Sequence, residues 1–191
     1  MKLKVSKLKV VRSTNEEAMR LIKNDQIHPR IIISKKQTKG RGTMGKKWVS
    51  NKGNMFISIY FDLVFSKIKP NQISILNPHI IKNLLKNYVK KQIHVKWPND
   101  LLIEDKKICG VLQEVFDFKN KKYLIIGIGL NTVHKPSNKS FKSTSIMRNS
   151  NKKISNVKIL NDIKDSYEKF ISDIRSNKIS TLKNKYLKIK K

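Results

Sequence analysis

The chain has 191 residues, 38% of them hydrophobic, with 43 lysines and arginines against 13 acidic residues and a formal net charge of +30. That length and apolar content suit one globular domain, and no run approaches the roughly 20 apolar residues of a membrane span. Only six of the basic residues are arginines, and the 37 lysines are scattered among many Ile and Asn, which reads as a solvated lysine surface in a biased composition rather than a built nucleic-acid face.

The opening MKLKVSKLKVV alternates Lys with apolar residues, which suits a strand from Leu3 to Val11 and lacks the apolar core of a signal peptide. A helix follows, with Ser13–Glu16 or Thr14–Glu17 at capping-box spacing and Ala18, Met19, Leu21 and Ile22 as its apolar face. RIIIS at 30–34 and MFISIYFDL at 55–63 are β-branched and aromatic runs that predict strands. Pro70 opens a helical pattern through Val89 that Pro78 should kink or restart. From Ile93 to Val133 four strand-like runs are separated by Pro98-Asn99, Asp105-Lys106 and Lys119-Asn120-Lys121, turns short enough to join only antiparallel neighbours. Residues 134–153, rich in Lys, Ser and Asn, predict a mobile surface segment, and helix resumes through Ile159, Ile163, Tyr167, Phe170 and Ile174. Helices and an antiparallel or mixed sheet in separate runs predict an α+β domain. Cys109, the only cysteine, lies in the apolar run ICGVL and reads as a core residue. With no disulfide possible and no signal sequence, the expected location is cytoplasmic.

Residues 40–47, GRGTMGKK, overlay two nucleotide motifs, G-x-G-x-x-G and most of G-x-x-x-x-G-K. Both need a helix directly after the glycines to supply amides and dipole to a phosphate. Here a strand follows instead, and Lys47 stands where a phosphate loop needs Ser or Thr to hold magnesium. What remains is a flexible segment, Gln37 to Trp48, whose Arg41, Lys46 and Lys47 suit closure over an anion.

Four stretches in order, RSTN at 12–15, QTKGRGTMGKKW at 37–48, KWPNDLLIEDKKICGVLQE at 96–114 and IIGIGLN at 125–131, resemble the catalytic domain of biotin protein ligases over nearly the whole chain. The resemblance implies a mixed, largely antiparallel sheet packed with helices, of the class II aminoacyl-tRNA synthetase/biotin ligase type. It also implies a reaction: ATP converts biotin to biotinyl-5′-AMP, and a lysine of biotin carboxyl carrier protein then takes the acyl group. Two anions must meet, so cations are needed: a lysine, an arginine and bound Mg²⁺. Lys107 matches the family's essential lysine and Arg41 is the second candidate. By the same resemblance Ser13, Thr14, Asn15 and Gln37 surround the biotin ring, with helix capping as a compatible second role for the first three, and Gly40, Arg41, Gly42, Thr43, Lys107 and Gly110 complete the biotin side. Gly110 serves either close backbone approach or a bulge. Arg41, Lys107, Asn99 and Asn131 fall on the nucleotide side. Trp48 either covers the adenylate or anchors the loop, Asp100 serves metal or loop support, and Trp97 and Pro98 look like pins of a turn.

Two departures from the family pattern stand out. Thr43 replaces a second loop arginine found in many members, which predicts faster leakage of biotinyl-AMP. The chain also reads as a single catalytic domain over residues 1–191, with no N-terminal helix-turn-helix, hence no specific DNA, no C-terminal SH3-like domain and no membrane partner. The competing readings are a lipoate protein ligase and a basic nucleic-acid-binding protein.

Overall fold

The computed structural model describes residues 2–63, 68–136, 141–151, 153–176 and 178–187. Its strands are β1 (Lys4–Leu8), β2 (Arg30–Ser34), β3 (Met55–Asp62), β4 (His94–Lys96), β5 (Asp100–Ile103), β6 (Lys106–Phe118) and β7 (Lys121–Leu130). They form one sheet in the order β1-β2-β3-β7-β6-β5-β4. Only β1 and β2 are parallel, and the helix α1 (Thr14–Lys23) supplies the crossover that a parallel pair requires. All other neighbours are antiparallel. The β5–β6 and β6–β7 hairpins turn through Glu104-Asp105 and Lys119-Asn120, all four at positive φ, the conformation of the tightest hairpin turns.

Strand alternation sorts the side chains into two unequal layers. Met55, Ile57, Ile59 and Phe61 of β3 and Leu124, Ile126, Ile128 and Leu130 of β7 face the main core. That core is closed by α2 (Pro70–Leu85), α3 (Asn156–Ser176) and α4 (Ile179–Leu187). The opposite face carries Tyr60, Tyr123 and Ile125 under Ala18, Leu21 and Ile22 of α1. Further along that face of β7 the large residues give way to Gly127 and Gly129, so α1 covers only part of the sheet and leaves a glycine-floored concavity beside it.

Four expectations change. The first strand is shorter than predicted, Lys4–Leu8. The capping box does not form: Ser13 caps α1 without a side-chain hydrogen bond, Thr14 Oγ1 turns to Gln37, and Glu16 and Glu17 pair with Arg12 and Arg20. α2 runs uninterrupted through Pro78, because its flank is clamped: Asn77 Nδ2 donates to Gln113 Oε1 of β6 (2.7 Å), and Gln113 Nε2 donates to the Pro70 carbonyl (2.8 Å). Within the stretch predicted as mobile, 137–140 and 152 lie outside the described residues. However, Thr144, Ser145 and Ile146 are buried, and the backbone bonds Lys107 N–H to Lys142, Thr144 N–H to Lys107 and Ile146 N–H to Asn131 tie this segment to the sheet.

Candidate active site

Lys107 and Gly110 are three residues apart on β6, a spacing that puts side chains on opposite faces of a regular strand. A register shift in the β5–β6 ladder, where Leu102 pairs with Lys107 but Leu101 with Cys109, leaves Ile108 as an extra residue. The bulge sends both Ile108 and Cys109 into the main core and returns Lys107 to the glycine face. There Lys107 Nζ lies 2.7 Å from Asp100 Oδ1, close enough for an ion pair although not aligned as a hydrogen bond. It also sits 5.2 Å from the Trp48 ring centre and 5.4 Å from that of Phe141. Its side chain is 18% exposed. Burial of Cys109 behind this site pushes its thiol up to about 12, so it stays a neutral core group.

The register places Gly110 directly opposite Gly129, and Asp100 opposite Gly110. The Trp48 ring lies on this pair of glycines: a Cβ on Gly129 would stand 2.5 Å from Trp48 Cζ2, and one on Gly110 would stand 2.7 Å from Cζ3. Gly127 makes equivalent room for Asn15, whose Oδ1 would stand 2.5 Å from a Cβ there.

The 40–48 loop folds back on itself. Gly42 N–H donates to the Lys46 carbonyl (2.7 Å) and Trp48 N–H to that of Gly40 (2.9 Å), with a single 3₁₀ turn, Thr43–Gly45, at the tip. Met44 in that turn is 93% exposed at φ 54°. The expectation that no helix follows the glycines therefore holds: irregular chain leads from Lys46 through a turn at 52–54 to β3. The base of the loop is tied to α1, because Gln37 Oε1 accepts from Thr14 N–H (2.8 Å) and Thr14 Oγ1 (3.1 Å) while Gln37 Nε2 donates to Ser50. The tip is tied by Arg41, whose guanidinium donates to Glu114 Oε1 and approaches Glu16 at 4.0 Å. Glu114 Oε2 in turn accepts from Asn15 Nδ2 (2.7 Å), and Ser58 Oγ donates to Asn15 Oδ1.

The pocket so enclosed is lined by most of the residues the sequence nominates: Ser13, Thr14, Asn15, Gln37, Arg41, Gly42, Thr43, Trp48, Asn99, Lys107, Gly110 and Asn131. Gly40 sits just behind it, buried at the loop root. Asp100 meets the pocket through Lys107. Asn99 is partly committed to structure, donating to the Val111 carbonyl (2.9 Å). Asn131 donates to the Lys107 and Thr144 carbonyls, while its Oδ1 and Trp48 Nε1 are buried without a hydrogen-bond partner among the described residues. Such orphaned polar atoms are what a polar ligand would satisfy. Trp97 does not pin its turn by packing, since it is 78% exposed. Sequence reading missed Glu114, Ser58, Phe141, Gly127 and Gly129. The G-x-G spacing on a strand was a usable signal for the last two, because period 2 puts both on one face.

With the loop down, the free volume is about 90 Å³, well under the roughly 300 Å³ at which ligand pockets begin. A ligand enters only if the loop and Trp48 move. A magnesium site built by the protein does not fit: Asp100 is matched by Lys107, and no group of three or more His, Cys, Asp or Glu among the described residues can hold an ion. No described helix is long and apolar enough to cross a membrane.

Comparison with known proteins agrees with this fold. The chain is 28% identical over 180 residues to the bifunctional ligase/repressor BirA of Bacillus subtilis, covering 91% of this chain and 55% of that protein, so it spans about half the length of the curated relatives it matches. The biotin protein ligase of Aquifex aeolicus solved with biotin and ATP superposes with a TM-score of 0.79 at 25% identity, over 96% of this chain and 76% of that one. The Leishmania major biotin protein ligase solved with biotinyl-5-AMP gives 0.82 at 22% identity, over 98% and 81%, and shares the fold. The family model for biotin/lipoate A/B protein ligases matches residues 8–131, from the end of β1 through Asn131, and the chain belongs to that family.

Proposed function

We infer that the protein is a biotin protein ligase. The observation that carries this reading is the convergence of Lys107 and Arg41 on one glycine-floored pocket under the 40–48 loop. In the first step an oxygen of the biotin carboxylate attacks the α-phosphorus of ATP and pyrophosphate leaves. In the second, a carrier lysine amine attacks the acyl carbon, an amide forms, and AMP leaves. Lys107, held against Asp100 on the sheet, is a cation fixed in place before the substrates arrive, so little reorganisation is needed there as negative charge gathers, and Arg41 brings a second cation over the pocket with the loop. Ser13, Thr14, Asn15 and Gln37 form the polar wall for the biotin ring, with Gly40, Gly42, Thr43 and Gly110 leaving room around it. Asn131 and Asn99, with Trp48, serve the nucleotide. Magnesium arrives on the phosphates as part of the nucleotide substrate. The loop and the Trp48 ring exclude water from an acyl-adenylate that water would destroy. The acyl acceptor is a lysine of a biotin carboxyl carrier protein.

The test is biotin-dependent exchange of pyrophosphate into ATP, with lipoate as competitor. Exchange driven by biotin and unaffected by lipoate is expected, and Lys107→Ala should lower it roughly a hundredfold to a thousandfold. Wild-type protein that exchanges only with lipoate, or not at all, would overturn the reading.

A further inference from the structure

A second cavity, of about 430 Å³, exceeds the roughly 300 Å³ at which ligand pockets begin. It opens where β1 and β2 end, β3 starts and α3 makes its first turn, and it shares no lining residue with the active-site pocket. Val157 and Leu160 are three apart on α3 and therefore belong to one stripe of that helix. Leu160 is buried in the main core, but Val157, one turn earlier, is 65% exposed. Leu8 and Ile33, half-buried at the strand ends, and Met55 supply the remaining apolar walls. The apolar stripe of α3 thus runs on past the cover that the sheet gives it, and its last stretch borders a gap that no described side chain fills.

The polar groups around this gap are of two kinds. Ser34 and Asn54 are spent on the fold: Ser34 Oγ donates to the Lys36 carbonyl (2.8 Å), and Asn54 Nδ2 donates to that of His134 (2.7 Å) while its Oδ1 accepts from the Val133 and His134 N–H groups. The others are uncommitted. Asn156 Nδ2 donates to the Gly53 carbonyl (2.8 Å), which leaves Asn156 Oδ1 buried with no hydrogen-bond partner among the described residues. Lys7, Lys35 and Lys52 are exposed around the cavity, and no acidic residue lines it among the described residues. A complementary ligand has an aliphatic tail for the walls, an anion for the three lysines and a hydrogen-bond donor for Asn156. We propose that this cavity is a second small-molecule site, which takes an aliphatic carboxylic acid that also carries a hydroxyl. A cationic amphiphile would meet three like charges, and a plain hydrocarbon would leave both the lysines and Asn156 unanswered. The site stands independently of the ligase reading, because none of its residues has a part in that reaction.

The experiment follows the methionine methyl groups by NMR in protein labelled with ¹³C at those methyls. The chain has five methionines; Met55 lines the second cavity, whereas Met44 sits on the loop of the active site, so the two pockets report separately. Met55→Leu assigns the first signal. Titration with 3-hydroxydecanoate should shift the Met55 methyl saturably and leave Met44 in place. The matching 1,3-decanediol, which lacks the charge, should bind roughly five- to fiftyfold more weakly, the scale of three exposed ion pairs. Decanoate, which lacks the hydroxyl, should bind roughly two- to tenfold more weakly, the scale of one hydrogen bond. The exposed triple variant Lys7→Gln, Lys35→Gln, Lys52→Gln should weaken the acid to the level of the diol without changing the diol. The site is overturned if Met55 shows no saturable shift, if Met44 alone responds, or if the diol or decanoate binds as tightly as the hydroxy acid. A Met55 shift that grows with protein concentration in the absence of any acid would also overturn it, since the cavity would then receive a second copy of the chain.

Discussion

At the scale of single residues, chemistry and direction were unequally legible. The proposal that Lys107 carries the reaction came from its neighbours in sequence, but that it points at the pocket was not readable there, since the bulge at Ile108 decides which face it takes and leaves no mark in composition or period. Trp97 and Trp48 show the converse: two large aromatics in matching motifs, one exposed to solvent and the other laid on glycines. Glu114 escaped notice because an acidic residue late in a strand reads as solvent-facing until its partners are known. The close fit of Trp48 to Gly129 makes a definite prediction for Gly129→Ala. The added methyl must displace either the strand or the ring, and the ring sits on the less constrained element. The overpacking cost of roughly 1–3 kcal/mol should therefore fall on loop closure, lowering the closed population about tenfold, while the urea midpoint stays near wild type. Acrylamide quenching of Trp48 in a Trp97→Phe background reads the ring, and unchanged quenching with a lowered midpoint would show that the strand had yielded instead.

At the scale of elements, the hairpins were the clearest part of the sequence: β-branched runs set the period, and turn residues set the breaks. The β5–β6 turn was placed one residue late, because the positive φ values fall on Glu104 and Asp105 rather than on the Asp105-Lys106 pair. Helices were less well resolved where tertiary contacts override local preference. Pro78 costs α2 a backbone bond but not its continuity, because Asn77 is locked between Gln113 on one side and the Tyr167 hydroxyl on the other (3.3 Å). Asn77 is fully buried, and Asn77→Ala would strand both partners, so a loss of about 1–3 kcal/mol in denaturant-induced unfolding is expected. A loss under about 0.5 kcal/mol, the size of an ordinary surface substitution, would mean that the clamp does not hold the helix. The described part of the segment predicted as mobile departs from expectation for a related reason: its Thr144, Ser145 and Ile146 have weak local signals, yet the sheet's end offers them backbone partners.

At the scale of the whole molecule, the charge imbalance leaves most lysines without an acidic partner, since 13 carboxylates cannot match 43 cations. Self-repulsion should therefore dominate the salt response. Raising ionic strength from about 0.01 M to about 0.15 M shortens the screening length from about 30 Å to about 8 Å and should raise Tm by a few degrees, on the order of 1 kcal/mol. A Tm that falls over this range would show that paired surface charges outweigh the repulsion.

The sheet is a finished hydrophobic layer on one face and an interrupted one on the other, where the row Tyr123, Ile125 breaks off into Gly127 and Gly129. A missing stretch of core is normally a defect that a protein repairs with larger side chains. Here residues that have no side chain to offer leave the gap to Asn15 and to the Trp48 ring carried on the loop, so a molecule that displaces the ring takes the place of core. Its occupancy is then a contribution to folding, growing as RT ln(1 + [L]/Kd), and thermal stability becomes a direct measure of which small molecules the chain was shaped to hold.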